Sequence, residues 1–195
     1  MGTIRYYNEN ARAFVESTFH ADMRAIRNLF IENVAPAGNV LDLGCGSGRD
    51  SKAFFDAGFQ VDAVDGSENI CREAERLTGR KVICATFEDF ETDTHYDGIW
   101  ACASLLHVER KNLPDLIKKY AAMLKKDGVF YLSFKYGTFE GERRGRYFTD
   151  MDAAGIERVL PPCLEQMTVL YTEDVRPGRE KELWINVLLK KCQEF

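Results

Sequence analysis

The chain has 195 residues, 45% hydrophobic and 29% charged, with a formal net charge of −5. That length suits one domain spanning 1–195 with a substantial core. The acidic balance and the lack of a basic arm argue against a nucleic-acid partner with a large footprint. No apolar run approaches a membrane span, and MGTIRYYNENARAF has no signal-peptide core. The six cysteines (45, 71, 84, 102, 163, 192) are scattered without metal spacing. Reduced thiols in a cytoplasm are therefore expected, with Cys84 and Cys102 as small core residues, no metal and no membrane contact.

Apolar residues at Val15, Phe19, Met23, Ile26, Phe30 and Val34 have helical spacing, so one helix is expected from about Ala11 to Val34, ended by Pro36 and Gly38. It precedes the first strand and would cap the sheet. Next comes VLDLGCGSGRD, residues 40–50. Val40 to Leu43 reads as a strand that empties into Gly44, Gly46 and Gly48, and an amphipathic helix follows. Glycines at alternate positions allow positive φ and close approach of a ligand to the backbone. Strand, glycine turn and helix form the nucleotide site of an open α/β sheet. The dinucleotide fingerprint fails here, because the third glycine falls one residue early and Arg49 stands where that pattern needs glycine. No Gly-Lys-Ser/Thr follows, which excludes the Walker pattern. Asp42 before the loop would repel a pyrophosphate but suits an ammonium or sulfonium. Asp65 ends the second apolar run about 20 residues past the glycines, where a carboxylate can accept both hydroxyls of a ribose.

LDLGCGSGRD followed by VDAVDGS resembles the first two motifs of class I S-adenosylmethionine-dependent methyltransferases. Among these the chain looks most similar to small stand-alone bacterial enzymes, including the tellurite-resistance methyltransferases. The resemblance implies S-adenosyl-L-methionine as cofactor. It also implies a Rossmann-like, doubly wound, seven-stranded and mostly parallel sheet with an antiparallel C-terminal hairpin. Cofactor-binding positions carried over are Asp42, Gly44, Cys45, Gly46, Gly48, Arg49, Asp65, Gly66 and Ser67. Tyr7 joins them, because an N-terminal tyrosine segment often folds over cofactor and substrate in this family.

Ser67 is a good N-cap for a helix that Gly79 ends. Lys81 to Ala85 reads as a short third strand. In the family pattern the edge that follows meets the adenine, which places Thr86 and Phe87 there; many members carry Asp where this chain has Thr86, so Glu88 or Asp89 is the alternative. The apolar run Asp97 to Ala103 is the fourth strand, buried on both faces. The family's fourth motif then puts Ala103 and Ser104 beside the methionine part of the cofactor. His107 is the histidine at this edge. It either takes a proton from a nucleophile or hydrogen-bonds the backbone and shapes the loop. A helix over 113–124 and a strand over 129–134 complete the alternation.

Residues 135–148 carry three glycines and three arginines and read as a loop at the carboxyl edge of the sheet. Lys135, Arg146 and Arg143 are candidates for holding an anionic substrate, with Tyr136 and Tyr147 to orient it. The catalytic candidates are His107, Tyr136 and Arg146. A helix is expected over 149–160, capped by Thr149 or Asp150, followed by strands over 164–175 and 182–190 around an Arg-Pro-Gly-Arg turn. The expected activity is methyl transfer to a small, anionic acceptor by a monomer or homodimer. A macromolecular acceptor and a non-catalytic S-adenosylmethionine-binding module are the alternatives.

Overall fold

The computed structural model describes residues 2–192. Five parallel strands form the centre: β1 (Asn39–Leu43), β2 (Gln60–Asp65), β3 (Ile83–Cys84), β4 (Tyr96–Ala101) and β5 (Leu124–Lys135). With β8 (Leu164–Glu173) and β9 (Leu183–Lys191) they make a seven-stranded sheet of order β3-β2-β1-β4-β5-β9-β8. β9 enters antiparallel beside β5, and β8 pairs antiparallel with β9 at the edge. The strand order reverses between β1 and β4, and a switch point of this kind opens a crevice at the carboxyl ends of the strands.

Helices α3 (Arg49–Asp56), α4 (Glu68–Thr78), α5 (Leu113–Met123) and α6 (Ala153–Val159) cover the faces. One core lies under α5 and α6 and includes Leu41, Ile99, Ile117, Phe130 and Ile185. A second holds Phe30, Phe54, Trp100 and Tyr131, with Trp100 stacked on Tyr131 at 3.9 Å between ring centroids. The two cores account for the continuous apolar runs of β1, β4 and β5, which bury both faces.

The single N-terminal helix expected from Ala11 to Val34 is two helices, α1 (Gly2–Thr18) and α2 (Arg24–Ile31). Asp22 breaks it: its carboxylate accepts the Arg24 N–H at 3.0 Å and grips the same guanidinium. An aspartate that binds the backbone two residues on closes a turn instead of continuing a helix. The apolar spacing runs through the break because Val15 packs with Ile70 of α4, whereas Phe30 and Val34 belong to the Trp100 core.

Three further boundaries differ. The stretch read as a loop forms a hairpin of β6 (Glu140–Arg143) and β7 (Arg146–Thr149). Its turn residues Arg144 and Gly145 both have positive φ, 50° and 77°. That is the geometry of a two-residue hairpin turn, but arginine in the first position gives no sequence signal for it. The following helix starts at Ala153 with Asp152 as its cap, accepting the Gly155 N–H at 2.6 Å. Thr149 instead ends β7, and Asp150 pairs with Arg143. β3 is only two residues long, and its Cys84 is exposed at the sheet edge rather than in the core. Cys102 is half-buried.

Candidate functional site

A cavity of about 1120 Å³ opens at the carboxyl ends of β1, β2, β4 and β5 and runs beneath α1 and the β6–β7 hairpin. The loop after β1 forms one wall. Gly44 has φ 77°, and a Cβ there would stand 2.4 Å from Ser104 Cβ. Gly46 has φ 54°, and its amide donates to Asp65 Oδ2 at 3.1 Å. The Ser67 amide donates to the other oxygen, Oδ1, at 2.9 Å. Two backbone donors leave each carboxylate oxygen a lone pair for a ligand. Burial nevertheless outweighs these bonds and pushes Asp65 up to about 6.

Asp42 lies at the floor, 2% exposed, and accepts the Ser51 hydroxyl at 2.5 Å. Burial, with Asp50 nearby, raises it to about 7. Arg49 borders the cavity but is tied to Asp50 at 2.5 Å. Arg27 Nη1 and the Trp100 indole also bond Asp50, at 2.9 and 3.1 Å. Although burial opposes ionisation, Arg49 and Arg27 hold Asp50 below the usual carboxylate range. Cys45, Gly66 and Ser67 also border the cavity. Burial pushes the Cys45 thiol well above its ordinary range.

On the next edge Thr86 and Phe87 reach the cavity. The Thr86 hydroxyl donates to Asp89 at 2.8 Å, while Glu88 faces the cavity. Ala103 turns into the left-handed region at φ 52°, its N–H held by Ser133 Oγ at 2.8 Å. The buried Ser104 hydroxyl beside it has no partner among the described residues. An unpaired buried hydroxyl costs free energy unless a ligand satisfies it.

The far wall holds Tyr7, His107 and Arg146. Tyr7 Oη lies 2.8 Å from His107 Nε2, and His107 Nδ1 lies 2.6 Å from the Tyr147 carbonyl. Both ring nitrogens are engaged, so of the two roles expected for His107 the geometry gives it the backbone bond and withholds a free nitrogen. Burial lowers its pKa to about 4. Arg146 Nη1 donates to Tyr7 Oη at 3.3 Å.

Two expected residues lie elsewhere. Tyr136 is 47% exposed, packs edge-on against Tyr171 and does not border the cavity. It directly follows β5, its N–H still donating to the Leu183 carbonyl at 2.9 Å. Gly48 starts α3 with φ 75°, and a Cβ there would meet Thr78 Cγ2 at 2.7 Å. It serves close packing of the loop on α4 and does not face the cavity. Sequence reasoning also missed part of the wall from the C-terminal hairpin, including Asn186, Trp184, Asp174 and Arg176. The available signal was Asn186, a polar residue inside the apolar run of β9.

The model for the family described as "Methyltransferase domain" matches residues 40–128. Over those residues the chain resembles a methyltransferase domain. Similar proteins include (S)-coclaurine N-methyltransferase of Papaver somniferum, 29% identical over 140 residues. That match covers 65% of this chain and 37% of the relative. YqeM of Bacillus subtilis is 26% identical over 130 residues, 63% of this chain and 53% of its own length. The chain thus spans only about a third to a half of the curated relatives it matches.

Among solved structures, the 1,6-didemethyltoxoflavin-N1-methyltransferase of Burkholderia thailandensis aligns with TM-score 0.74 at 17% identity. The alignment covers 97% of this chain and 85% of that one. NodS of Bradyrhizobium japonicum, solved with S-adenosylhomocysteine, aligns with TM-score 0.73 at 13% identity over 95% of this chain and 98% of that one. These likenesses establish the fold, and the methyltransferase family whose model matches uses S-adenosylmethionine. The orphaned Ser104 hydroxyl, the cradle that a Gly44 side chain would fill and the buried acids Asp42 and Asp65 fit a cationic amino-acid nucleoside.

Proposed function

We propose that the protein transfers the methyl group of S-adenosylmethionine to a small acceptor bearing an anionic group, in the cytoplasm and as a single domain. The observation that carries the anionic part is Arg146. Four cations around the cavity have carboxylate partners: Arg49 has Asp50, Lys135 has Glu182, Arg143 has Asp150 and Arg176 has Asp174. Arg144 and Arg179 also border it without an ion pair among the described residues, but neither has a buried N–H left unpaired. Arg146 forms no such pair among the described residues, and its buried Nε has no partner. Its guanidinium rests against the Tyr6 and Phe148 rings, 4.6 and 5.0 Å from their centroids. A half-buried guanidinium with an unused donor is suited to a carboxylate or another oxyanion.

The cofactor supplies a methyl group on a positively charged sulfur. Asp42, Asp65, Gly44, Gly46 and Ser104 would hold it, with Thr86 or Glu88 and Phe87 toward the base. The chain's contribution is alignment, which is worth several kcal/mol, roughly 7–11 at most. The cavity exceeds the roughly 300–1,000 Å³ of a pocket for one drug-sized ligand, so it has room for donor and small acceptor together. The relationship to an enzyme named for coclaurine N-methylation also supports a small acceptor. Within the class I enzymes we place it with small stand-alone bacterial methyltransferases, including the tellurite-resistance group.

Calorimetry with S-adenosylmethionine and with NAD tests the cofactor; binding of the first alone is expected. Transfer of labelled methyl to size-fractionated cell extracts tests the acceptor. Label in the low-molecular-mass fraction is expected, and label confined to macromolecules would overturn the reading.

A further inference from the structure

The hydrogen-bond directions at the far wall are fixed by one carbonyl. Tyr147 O can only accept, so His107 Nδ1, 2.6 Å away, carries the hydrogen. Neutral His107 then offers a lone pair at Nε2, and the Tyr7 hydroxyl, 2.8 Å away, donates to it. Its burial keeps the imidazole neutral at pH 7. The phenol oxygen has one hydrogen and two acceptor sites. The hydrogen is committed to His107, and Arg146 Nη1 occupies one acceptor site at 3.3 Å. Tyr7 borders the cavity, so it presents a hydrogen-bond acceptor and no donor to whatever lies there.

We propose that the Tyr7 hydroxyl oxygen receives an N–H of the methyl acceptor, and that the acceptor is a small amine whose anionic group rests on the neighbouring Arg146. This rests on the methyl-transfer reading above. Tyr7 is then a catalytic residue in contact with the nucleophile. His107 is a positioning residue, because it turns the phenol hydrogen away from the cavity. With both ring nitrogens of His107 engaged, it is not a free base for an alcohol. A neutral amine needs none: its lone pair forms the N–C bond while the methyl–sulfur bond breaks with its electron pair going to sulfur. The surplus proton on the resulting secondary ammonium passes to water. The positive charge of Arg146 beside the nitrogen favours the neutral amine over the ammonium.

The test uses the full chain with methyl-labelled S-adenosylmethionine and two probe sets. One contains glycine, β-alanine, taurine and 2-aminoethylphosphonate; the other contains the same skeletons without the amine. Label is expected in at least one anionic amine and in no des-amino probe. Tyr7→Phe keeps the ring and is expected to lower kcat/KM at least tenfold, with S-adenosylhomocysteine affinity within twofold of the parent. A nitrogen-15 spectrum at pH 7 is expected to show His107 protonated on Nδ1, the tautomer that turns the Tyr7 hydrogen away from the cavity. His107 protonated on Nε2, full activity of Tyr7→Phe, or no transfer to any anionic amine would each overturn the inference. If S-adenosylmethionine binds in that last case, the methyl-transfer reading still stands; if it does not bind, that reading fails as well.

Discussion

The Gly46 amide donates to Asp65 Oδ2 at 3.1 Å, which joins the glycine loop after β1 to the end of β2. The bond fixes a carboxylate that borders the cavity. Asp65→Ala removes both that acceptor and the support of the loop. S-adenosylmethionine affinity is expected to fall at least tenfold by calorimetry, about 1.4 kcal/mol. Unchanged affinity would take Asp65 out of the site.

Burial pushes Asp42 to about 7 and Asp65 to about 6, from 3.8 in an unfolded chain. Groups with raised folded-state values favour folding fully below the unfolded value, and that contribution is lost as pH rises through 6 and 7. Cofactor binding has the opposite sign. A cation favours the ionised carboxylates, so affinity is expected to rise by roughly tenfold between pH 5 and pH 8. Calorimetry across that range checks it, and Asp65→Asn is expected to flatten the lower limb. A flat profile in the parent would exclude ionised carboxylates from the cofactor contact.

The sequence exposed the parts of this site whose geometry is set by the backbone alone. Gly44, Gly46, Asp42 and Asp65 sit on one strand–loop–helix unit and the strand beside it, so their spacing in the chain is their spacing in space. Ser67 is legible for the same reason, as the cap of the helix that follows. The far wall was less legible because its members come from distant segments. Tyr7 and His107 are 100 positions apart, and what decides the role of the histidine is the carbonyl of Tyr147, a group with no sequence signature. The β6–β7 hairpin stayed hidden behind an Arg-Gly turn. The break at Asp22 stayed hidden because two separate cores happen to continue one apolar rhythm.

Arg146 is the cavity cation that combines the lack of a carboxylate partner with a buried, unpaired Nε among the described residues. Arg146→Ala is expected to leave S-adenosylmethionine affinity within about twofold, while kcat/KM for an anionic acceptor falls at least tenfold, the scale of one charge-assisted hydrogen bond. Arg146→Lys keeps the charge but loses the planar fork and is expected to recover only part of the loss. Equal kcat/KM in parent and alanine variant would remove the anion-holding role.

Asp50 joins α2, α3 and β4 through Arg27, Arg49 and the Trp100 indole. Its side chain is 6% exposed, and those of Arg27 and Arg49 are 13% and 18% exposed. Removing one member of a buried ion network strands the charges that remain, at a cost of about 3–5 kcal/mol. Asp50→Ala is therefore expected to lower the denaturant midpoint by a corresponding amount. Asp50→Asn retains the shape and one acceptor oxygen and is expected to fall between the two. A midpoint within error of the parent in Asp50→Ala would mean that the two arginines find water instead.

Gly44 is the closest approach between the glycine loop and the β4 edge, where a Cβ would lie 2.4 Å from Ser104 Cβ. Neither side can easily yield: Ser104 is 5% exposed, and the Gly44 N–H is held by the Val64 carbonyl at 2.8 Å. The φ of 77° adds a left-handed conformation that an alanine adopts only with strain, of order 1 kcal/mol or more. Gly44→Ala is thus expected to push the loop away from Ser104. S-adenosylmethionine affinity should fall at least tenfold while the far-ultraviolet circular dichroism spectrum keeps its α/β shape. Combining it with Ser104→Gly removes the colliding Cβ and leaves only the φ strain, so the double variant is expected to fold with a higher denaturant midpoint than Gly44→Ala alone. Equal midpoints would show that the backbone conformation, and not the collision, makes this position a glycine.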